Sequence, residues 1–318
     1  TDFRPEILGG KGILSDLGAA IRLFRLSTDY DVVVVCSSRK GNLFAILSAL
    51  WPGKRAPIVM VDCLWYRPWN PFLLWAKRIQ FWLMTRAVDI FVVWASHEVR
   101  DYAASFLIPE DKFLYIPHHH TLEGYRYELH DGDYIFSGGD GDRDYPTFIE
   151  AVRGLGVRVV IATRRSDWNG NSPLPSKLEA FPTTHSDFRK LMAGSKMVVV
   201  PMRRGLLHSG GQQTYLSAMA MGKPVIVADD LGAKDYIEHG VNGLIVPSCD
   251  PGALRAAIKS LIDDPAFAAT LGNNAKSAYN TYSTPKCMQR IVQAVAETAV
   301  RTKKAPGRRL ASERSHLG

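Results

Sequence analysis

Seven runs rich in Val and Ile, each five to seven residues long, recur along the chain: "DVVVVC" (31–36), "PIVMVD" (57–62), "DIFVVW" (89–94), "YIFSG" (134–138), "VRVVIAT" (157–163), "KMVVVP" (196–201) and "PVIVA" (224–228). A strand with one wet face alternates apolar and polar residues, whereas a strand covered on both faces reads as a near-continuous apolar run. Helical patterns separate these runs, at 15–25, 41–50, 71–86, 98–106, 146–154, 212–221, 251–263 and 266–279. This alternation predicts an α/β chain whose parallel sheets carry helices on both faces. Ser15 is the expected N-cap of the first helix. Asp250-Pro251 and Asp264-Pro265 each place an N-cap before a proline at the first helical position.

The chain has 318 residues, 46% of them hydrophobic, enough for two cores. The stretch "PHHHTLEGYRYELHDGDY" is polar, aromatic and aperiodic, and it divides three of the strands from the other four. The expected division is an N-terminal Rossmann-like domain over 1–117, a linker over 118–132, a second Rossmann-like domain over 133–283, and a C-terminal helix with a basic tail over 284–318. No run reaches the roughly eighteen apolar residues of a membrane span. The opening residues carry no signal-peptide pattern. Four cysteines, Cys36, Cys63, Cys249 and Cys287, form no metal-ligand spacing and read as buried free thiols of a reducing, cytoplasmic compartment. A net charge of +8 favours phosphate or an anionic membrane as partner; nucleic acid is not expected.

The stretch "HSGGQQTYLSAMAMGKPVIVADD" follows the sixth strand and opens a helix. Helix N-termini carry unpaired N–H groups and a partial positive charge, and glycines there admit a ligand close to the backbone. Gly210, Gly211 and Gln212 therefore form either an anion cradle or a plain turn, and the local pattern does not choose between them. "YIFSGGDGDRDYPTFIEAV" repeats the arrangement with Gly138, Gly139 and Arg143. "IATRRSDW" sets Arg164 and Arg165 at the end of a further strand, as a solvated pair or as ligand contacts.

From about Tyr134 to Ser283 the chain resembles the donor-binding half of a family-4, GT-B-fold glycosyltransferase. The likeness is carried by "LSAMAMGKPVIVADDLGAKDYIEHGVNGLIVPSCDPGALRAAIKSLIDDPAFAATLGNNA". "TRAVDIFVVWASHEVRDYAASFLIPEDKFLYIPHHH" looks more loosely like the end of that family's first domain. The resemblance implies two Rossmann-like domains facing a cleft, with the first domain short or truncated by roughly fifty residues. It implies transfer of a sugar from a nucleotide sugar, with retention of anomeric configuration.

Carried over residue by residue, Arg143 falls where the family has a Lys facing the diphosphate. Gly139 falls near the place of an Arg, which Arg164 or Arg165 would replace. Gln212 matches a branch with Gly-Gln at the helix start, and Lys223, Pro224, Asp235 and Tyr236 match the following turns. Ser209 and Ser217 stand at both positions of the family's Glu-x7-Glu motif. Ser217 can accept a hydrogen bond from a ribose hydroxyl, without charge and with shorter reach. Ser209 is expected at the sugar.

The implied chemistry needs charge stabilised on a departing diphosphate, which the helix start and Arg143 can supply. Asp62, at the end of "PIVMVD", is either a strand-end cap or an acceptor-orienting residue. The two "DGD" turns (131–133 and 140–142) and His118, His119 and His120 do not make a metal site, and no cofactor is expected beyond the donor. Gly211→Val is expected to block the ligand while leaving the fold largely intact.

The segment "WYRPWNPFLLWAKRIQFWLMTR" holds four of the seven tryptophans and is too short and too charged to span a bilayer. It reads as an interfacial helix on anionic lipid or as a helix buried on the first sheet, with Trp75, Phe81 and Trp82 in the core. The first reading brings a lipid-linked or polysaccharide acceptor and a peripheral position on the cytoplasmic membrane face. The Ser pair also motivates a second class of function, a non-catalytic nucleotide-sugar or carbohydrate binder. A sugar-nucleotide epimerase would need a richer acid/base set.

Overall fold

The computed structural model describes residues 12–51, 56–130, 132–165, 168–169, 173–228 and 231–304. Its chain divides into two compact units, Thr1–Ile116 with Gln289–Gly318, and Pro117–Met288.

The first unit runs α1 (Ile13–Leu26), β1 (Val33–Cys36), α2 (Arg39–Leu50), β2 (Ile58–Val61), α3 (Pro71–Thr85), β3 (Val88–Val93), α4 (Ser96–Phe106) and β4 (Phe113–Tyr115). Its four strands lie parallel in the order β1-β2-β3-β4. Trp65 is buried among Phe81, Phe91, Tyr102, Phe106 and Phe113, and this aromatic cluster fixes α3 and α4 on the sheet. Tyr102 ties the cluster to the chain after β2 by donating to the Cys63 carbonyl at 2.8 Å and accepting from the Trp65 amide.

The second unit runs β5 (Tyr134–Gly138), α5 (Tyr145–Val152), β6 (Arg158–Ala162), β7 (Leu178–Phe181), α6 (His185–Ala193), β8 (Met197–Pro201), α7 (Gln212–Ala220), β9 (Val225–Ala228), β10 (Leu244–Val246), α8 (Pro251–Asp263) and α9 (Pro265–Ser277). The chain continues as α10 (Thr284–Lys304). All six strands are parallel, in the order β10-β9-β8-β5-β6-β7. Alternate residues feed two cores: Phe136, Val198, Val200, Val225 and Val227 on one face, Ile135, Met197, Val199 and Ile226 on the other. Burial on both faces is why these strands read as unbroken apolar runs.

The seven expected strands and eight expected helices are present within a few residues of their expected ends. Asp250 and Asp264 cap α8 and α9 as expected, each accepting a backbone N–H three residues on. Ser15 does not cap α1. The helix starts at Ile13, Gly12 holds the cap position with φ 121°, and Ser15 already lies inside the first turn. Strands β4, β7 and β10, of three or four residues, are too short to show a period. Helix α6 escaped the hydrophobic pattern because only Met192 and Ala193 of its nine residues are buried. All four cysteines are free, but Cys36 and Cys249 are exposed, which corrects the expectation of buried thiols. Cys36 ends the edge strand β1, and Cys249 sits in a loop with φ 58°.

Candidate functional site

Strand β5 pairs with β6 on one side and β8 on the other, and the chain runs from β5 through α5 to β6. The strand order therefore reverses between β5 and β8. In open α/β sheets the crevice beyond the strand C-termini at such a switch point is where ligands bind. The loops that leave these two ends are 139–144 and 202–211, the two glycine-rich turns.

They are stitched together. Arg143 and Met202 form an isolated bridge, and the Arg203 amide donates to the Asp142 carbonyl at 3.0 Å. His208 Nε2 meets Asp142 Oδ2 at 3.2 Å, with Asp142 held at φ 53°. Arg143 itself is only 5% exposed. Its Nε donates to the Gly138 carbonyl at 3.0 Å, Nη1 to the Gly141 carbonyl at 2.8 Å and to Met202 Sδ, and Nη2 to Thr214 Oγ1 at 3.1 Å. Burial draws its guanidinium below the ordinary arginine value, opposed by Tyr145, Asp142 and Asp140, and an arginine stays charged through such a change.

The glycines make room for that cation. A Cβ on Gly139, whose φ is 113°, would lie 2.8 Å from Arg143 Nη2. A Cβ on Gly211, with φ 80°, would lie 3.6 Å from Nη1 and 2.7 Å from Val200 Cγ1. Tyr145, whose hydroxyl burial pushes up to about 12, remains a neutral donor and fixes the Gly139 carbonyl.

Gly211 is the N-cap of α7, so the first amides of that helix, at Gln212 and Gln213, start beside the Arg143 guanidinium. A buried cation and a helix start at one point form a field for an anion. Gly210 packs on Met202. Gln212 is buried and its side-chain amide donates to Ser209 Oγ. Ser209 is buried too and abuts Gly232, where a Cβ would come within 2.3 Å of the serine Cβ. Ser217 is buried within α7.

Arg164 sits at the margin, exposed, its Nε 2.6 Å from Asp140 Oδ2. Asp140 is held below the usual carboxylate value: burial opposes this, and hydrogen bonds from the Arg164 backbone, the Arg164 side chain and Thr163 prevail. Arg165 reaches the Arg143 carbonyl only at 3.5 Å. Lys223 sends its ammonium to the His130 carbonyl.

The structure thus gathers Gly138, Gly139, Arg143, Ser209, Gly210, Gly211 and Gln212 at one place, with Arg164 beside it. Asp62 belongs to the other unit. It directly follows β2 with φ 55°, and its Oδ1 accepts from Trp94 Nε1 at 3.2 Å. Thr214, Asp142 and His208 were missed by sequence reasoning. The tertiary fold alone brings Thr214 to Arg143, but the "DGD" turn beside Arg143 was a visible signal for Asp142. Tyr236, matched in sequence, receives the His118 amide on its hydroxyl at 2.8 Å. Among the described residues no group of three His, Cys, Asp or Glu side chains could hold a metal ion.

Residues 147–264 match the family model described as "Glycosyl transferases group 1". An uncharacterized glycosyltransferase of Methanocaldococcus jannaschii is 27% identical over 168 residues, 47% of this chain and 47% of that protein. D-inositol 3-phosphate glycosyltransferase 1 of Catenulispora acidiphila is 33% identical over 88 residues, 27% of this chain and 19% of that protein. The matched segments thus span less than half the length of these curated relatives. Among solved structures, a sucrose-phosphate synthase from Thermosynechococcus elongatus superposes with a TM-score of 0.72 at 16% identity, covering 91% of this chain and 78% of that one. Anabaena HepE in complex with UDP-glucose superposes with a TM-score of 0.70 at 15% identity, covering 87% and 82%. The chain thus has the two-sheet α/β fold of GT-B glycosyltransferases, and residues 147–264 of its second unit match the glycosyl transferases group 1 model.

Proposed function

We propose that the chain is a glycosyltransferase that moves a sugar from a nucleotide-sugar donor to a lipid-linked or polysaccharide acceptor. One observation carries the reading: two glycine-rich turns converge on the buried Arg143 at the β5/β8 switch point, within the unit that matches a glycosyltransferase family. Arg143 and the start of α7 hold a diphosphate and stabilise the charge that grows on it as the sugar leaves. The positions are fixed before reaction, which is where such stabilisation is most effective. Anabaena HepE was solved with UDP-glucose, so a UDP sugar is the first donor to test here.

Transfer retains the anomeric configuration and needs no metal ion. Supporting the second point, Asp140 and Asp142 are engaged by Arg164 and His208. Asp62 orients the acceptor from the first unit. The acceptor lies on a membrane, with the protein peripheral on its cytoplasmic face. Ser209 and Ser217 stand in for two glutamates in this branch of the family.

A thermal-shift panel of UDP, GDP, ADP and their sugars tests the donor class; a rise in Tm with one nucleotide is expected. No rise with any of them sinks the reading. The anomer released on slow hydrolysis of that donor, seen by NMR, tests retention. Turnover that stops with EDTA and returns with Mn²⁺ or Mg²⁺ overturns metal independence.

A second reading, a nucleotide-sugar binder without turnover, is favoured by Ser209, whose hydroxyl is buried and already held by Gln212. Nucleotide binding with no donor hydrolysis would select it.

A further inference from the structure

Helix α3 faces two ways. Phe81 and Met84 are buried, and the Phe81 ring lies 4.2 Å from that of Trp65. On the other side Phe72, Trp75, Ile79, Trp82 and Arg86 follow one another at helical spacings of three and four and form a single stripe. The four apolar members are 70%, 57%, 40% and 54% exposed, and Trp69, just before the helix, is 94% exposed. Single exposed apolar residues are ordinary, but a continuous stripe of large aromatics marks a contact surface. Phe72 and Trp75 are stacked at 5.8 Å, and the Arg86 guanidinium lies 3.8 Å over the Trp82 ring. The stripe is thus arranged with its apolar rings along the helix and a cation at its end.

Charge selects the occupant. Across α3 and its flanks, from Cys63 to Val88, the chain carries four Lys or Arg, namely Arg67, Lys77, Arg78 and Arg86, and no acid. A second copy laid on this face would oppose like charges. A surface that is anionic outside and apolar beneath matches both the charge and the rings. Helix α3 has 15 residues, and among the described residues no helix is long and apolar enough to cross a membrane.

We propose that this stripe is a membrane-docking face: α3 lies in the plane of an anionic bilayer, with Trp69, Phe72, Trp75, Ile79 and Trp82 in the interface and Arg86 at the headgroups. The proposal rests on the reading of a membrane-borne acceptor and deepens it by naming the surface. Vesicle binding is measured without donor, so the two can fail separately.

The full chain is floated with vesicles of phosphatidylcholine alone and of phosphatidylcholine with phosphatidylglycerol, at low and high salt. Flotation with the anionic vesicles at low salt and a blue shift of tryptophan emission are expected. The double variant W75S/W82S should lower the partition coefficient by about tenfold or more. Arg86→Gln should lower it about fivefold at low salt and little at high salt. An unchanged circular dichroism spectrum and Tm of W75S/W82S show that its fold is intact. If either changes, Phe72→Asp at the exposed start of α3 gives the same readout. A parent chain that stays unbound on anionic vesicles at low salt overturns the proposal. So do fold-competent stripe variants that float as the parent does, or a parent mass that doubles in light scattering and returns to the monomer in W75S/W82S while vesicles stay unbound. Vesicle binding without nucleotide binding would remove the transferase reading and leave this surface standing.

Discussion

Arg143 does two jobs that a single substitution cannot separate. Its guanidinium ties the Gly138 and Gly141 carbonyls to Thr214, and the same group faces the start of α7. Arg143→Ala should therefore weaken nucleotide binding by about 1.5–3 kcal/mol, the scale of a charge-assisted hydrogen bond, and lower Tm as well. Arg143→Lys keeps the charge on one point and should recover part of the affinity and little of the stability. Calorimetry showing parental affinity for Arg143→Ala would remove the cation from the site. Gly139→Ala tests the room left for it: with φ 113° and a Cβ 2.8 Å from Nη2, it should cost about 1–3 kcal/mol in denaturant unfolding. A cost near zero would mean that Arg143 can move aside. The sequence announced both residues by type and spacing. It did not announce that the arginine is buried, because its partners lie on β8 and α7, far along the chain.

At the scale of elements, α7 is built for close approach at its start and for burial along its length. Gln212 and Thr214 through Ala220 are all buried. The expectation that Gly211→Val leaves the fold largely intact is corrected here, because a Cβ would press on Val200 in the core and the backbone sits at φ 80°. Thr214→Val probes the same site without that damage. It keeps the shape but leaves the buried Arg143 Nη2 without this partner, so it should lower Tm and reduce nucleotide affinity by about 1 kcal/mol. Equal affinity would show that Thr214 does not help to set Arg143 for the ligand. Between α8 and α9 Asp264 closes one helix and caps the next, so Asp264→Ala should cost about 1 kcal/mol in urea unfolding. A loss below a few tenths would show that Pro265 suffices to start α9. Both caps were legible because a cap is a local interaction. Helix α6 was not, since Thr184 caps it but almost no apolar face follows.

At the scale of the molecule, the chain passes between the two units at Ile116/Pro117 and at Met288/Gln289. His118 stands at the first passage. Burial, with His119 adding to it, lowers its pKa from 6.5 to about 4. A histidine with a depressed folded value is neutral when folded and protonated when unfolded across that window. The unfolded chain then binds more protons, and stability falls as pH drops from 6.5 to about 4. Asp140, held low by Arg164 and Thr163, adds a loss at more acid pH, where its folded form takes up a proton. The Tm of the parent should decline through the histidine window, and His118→Gln should flatten that decline. A variant whose Tm tracks the parent at every pH would assign the loss to other groups.

The order of strands and helices, the α8 and α9 caps and the two glycine-rich turns follow from the sequence by itself, because each rests on residues within a few positions of one another. Periodicity tells a buried strand from a helix, and glycine is needed wherever φ turns positive. The tertiary structure decided what those turns enclose. Strand β8 lies beside β5 across 58 residues of chain, and only that pairing sets the switch point, brings Thr214 and Met202 to Arg143 and joins His208 to Asp142. It also decided which side of α3 is core. Phe81 and Trp82 are neighbours of like hydrophobicity, and only packing against Trp65 sends the first inward and leaves the second in water.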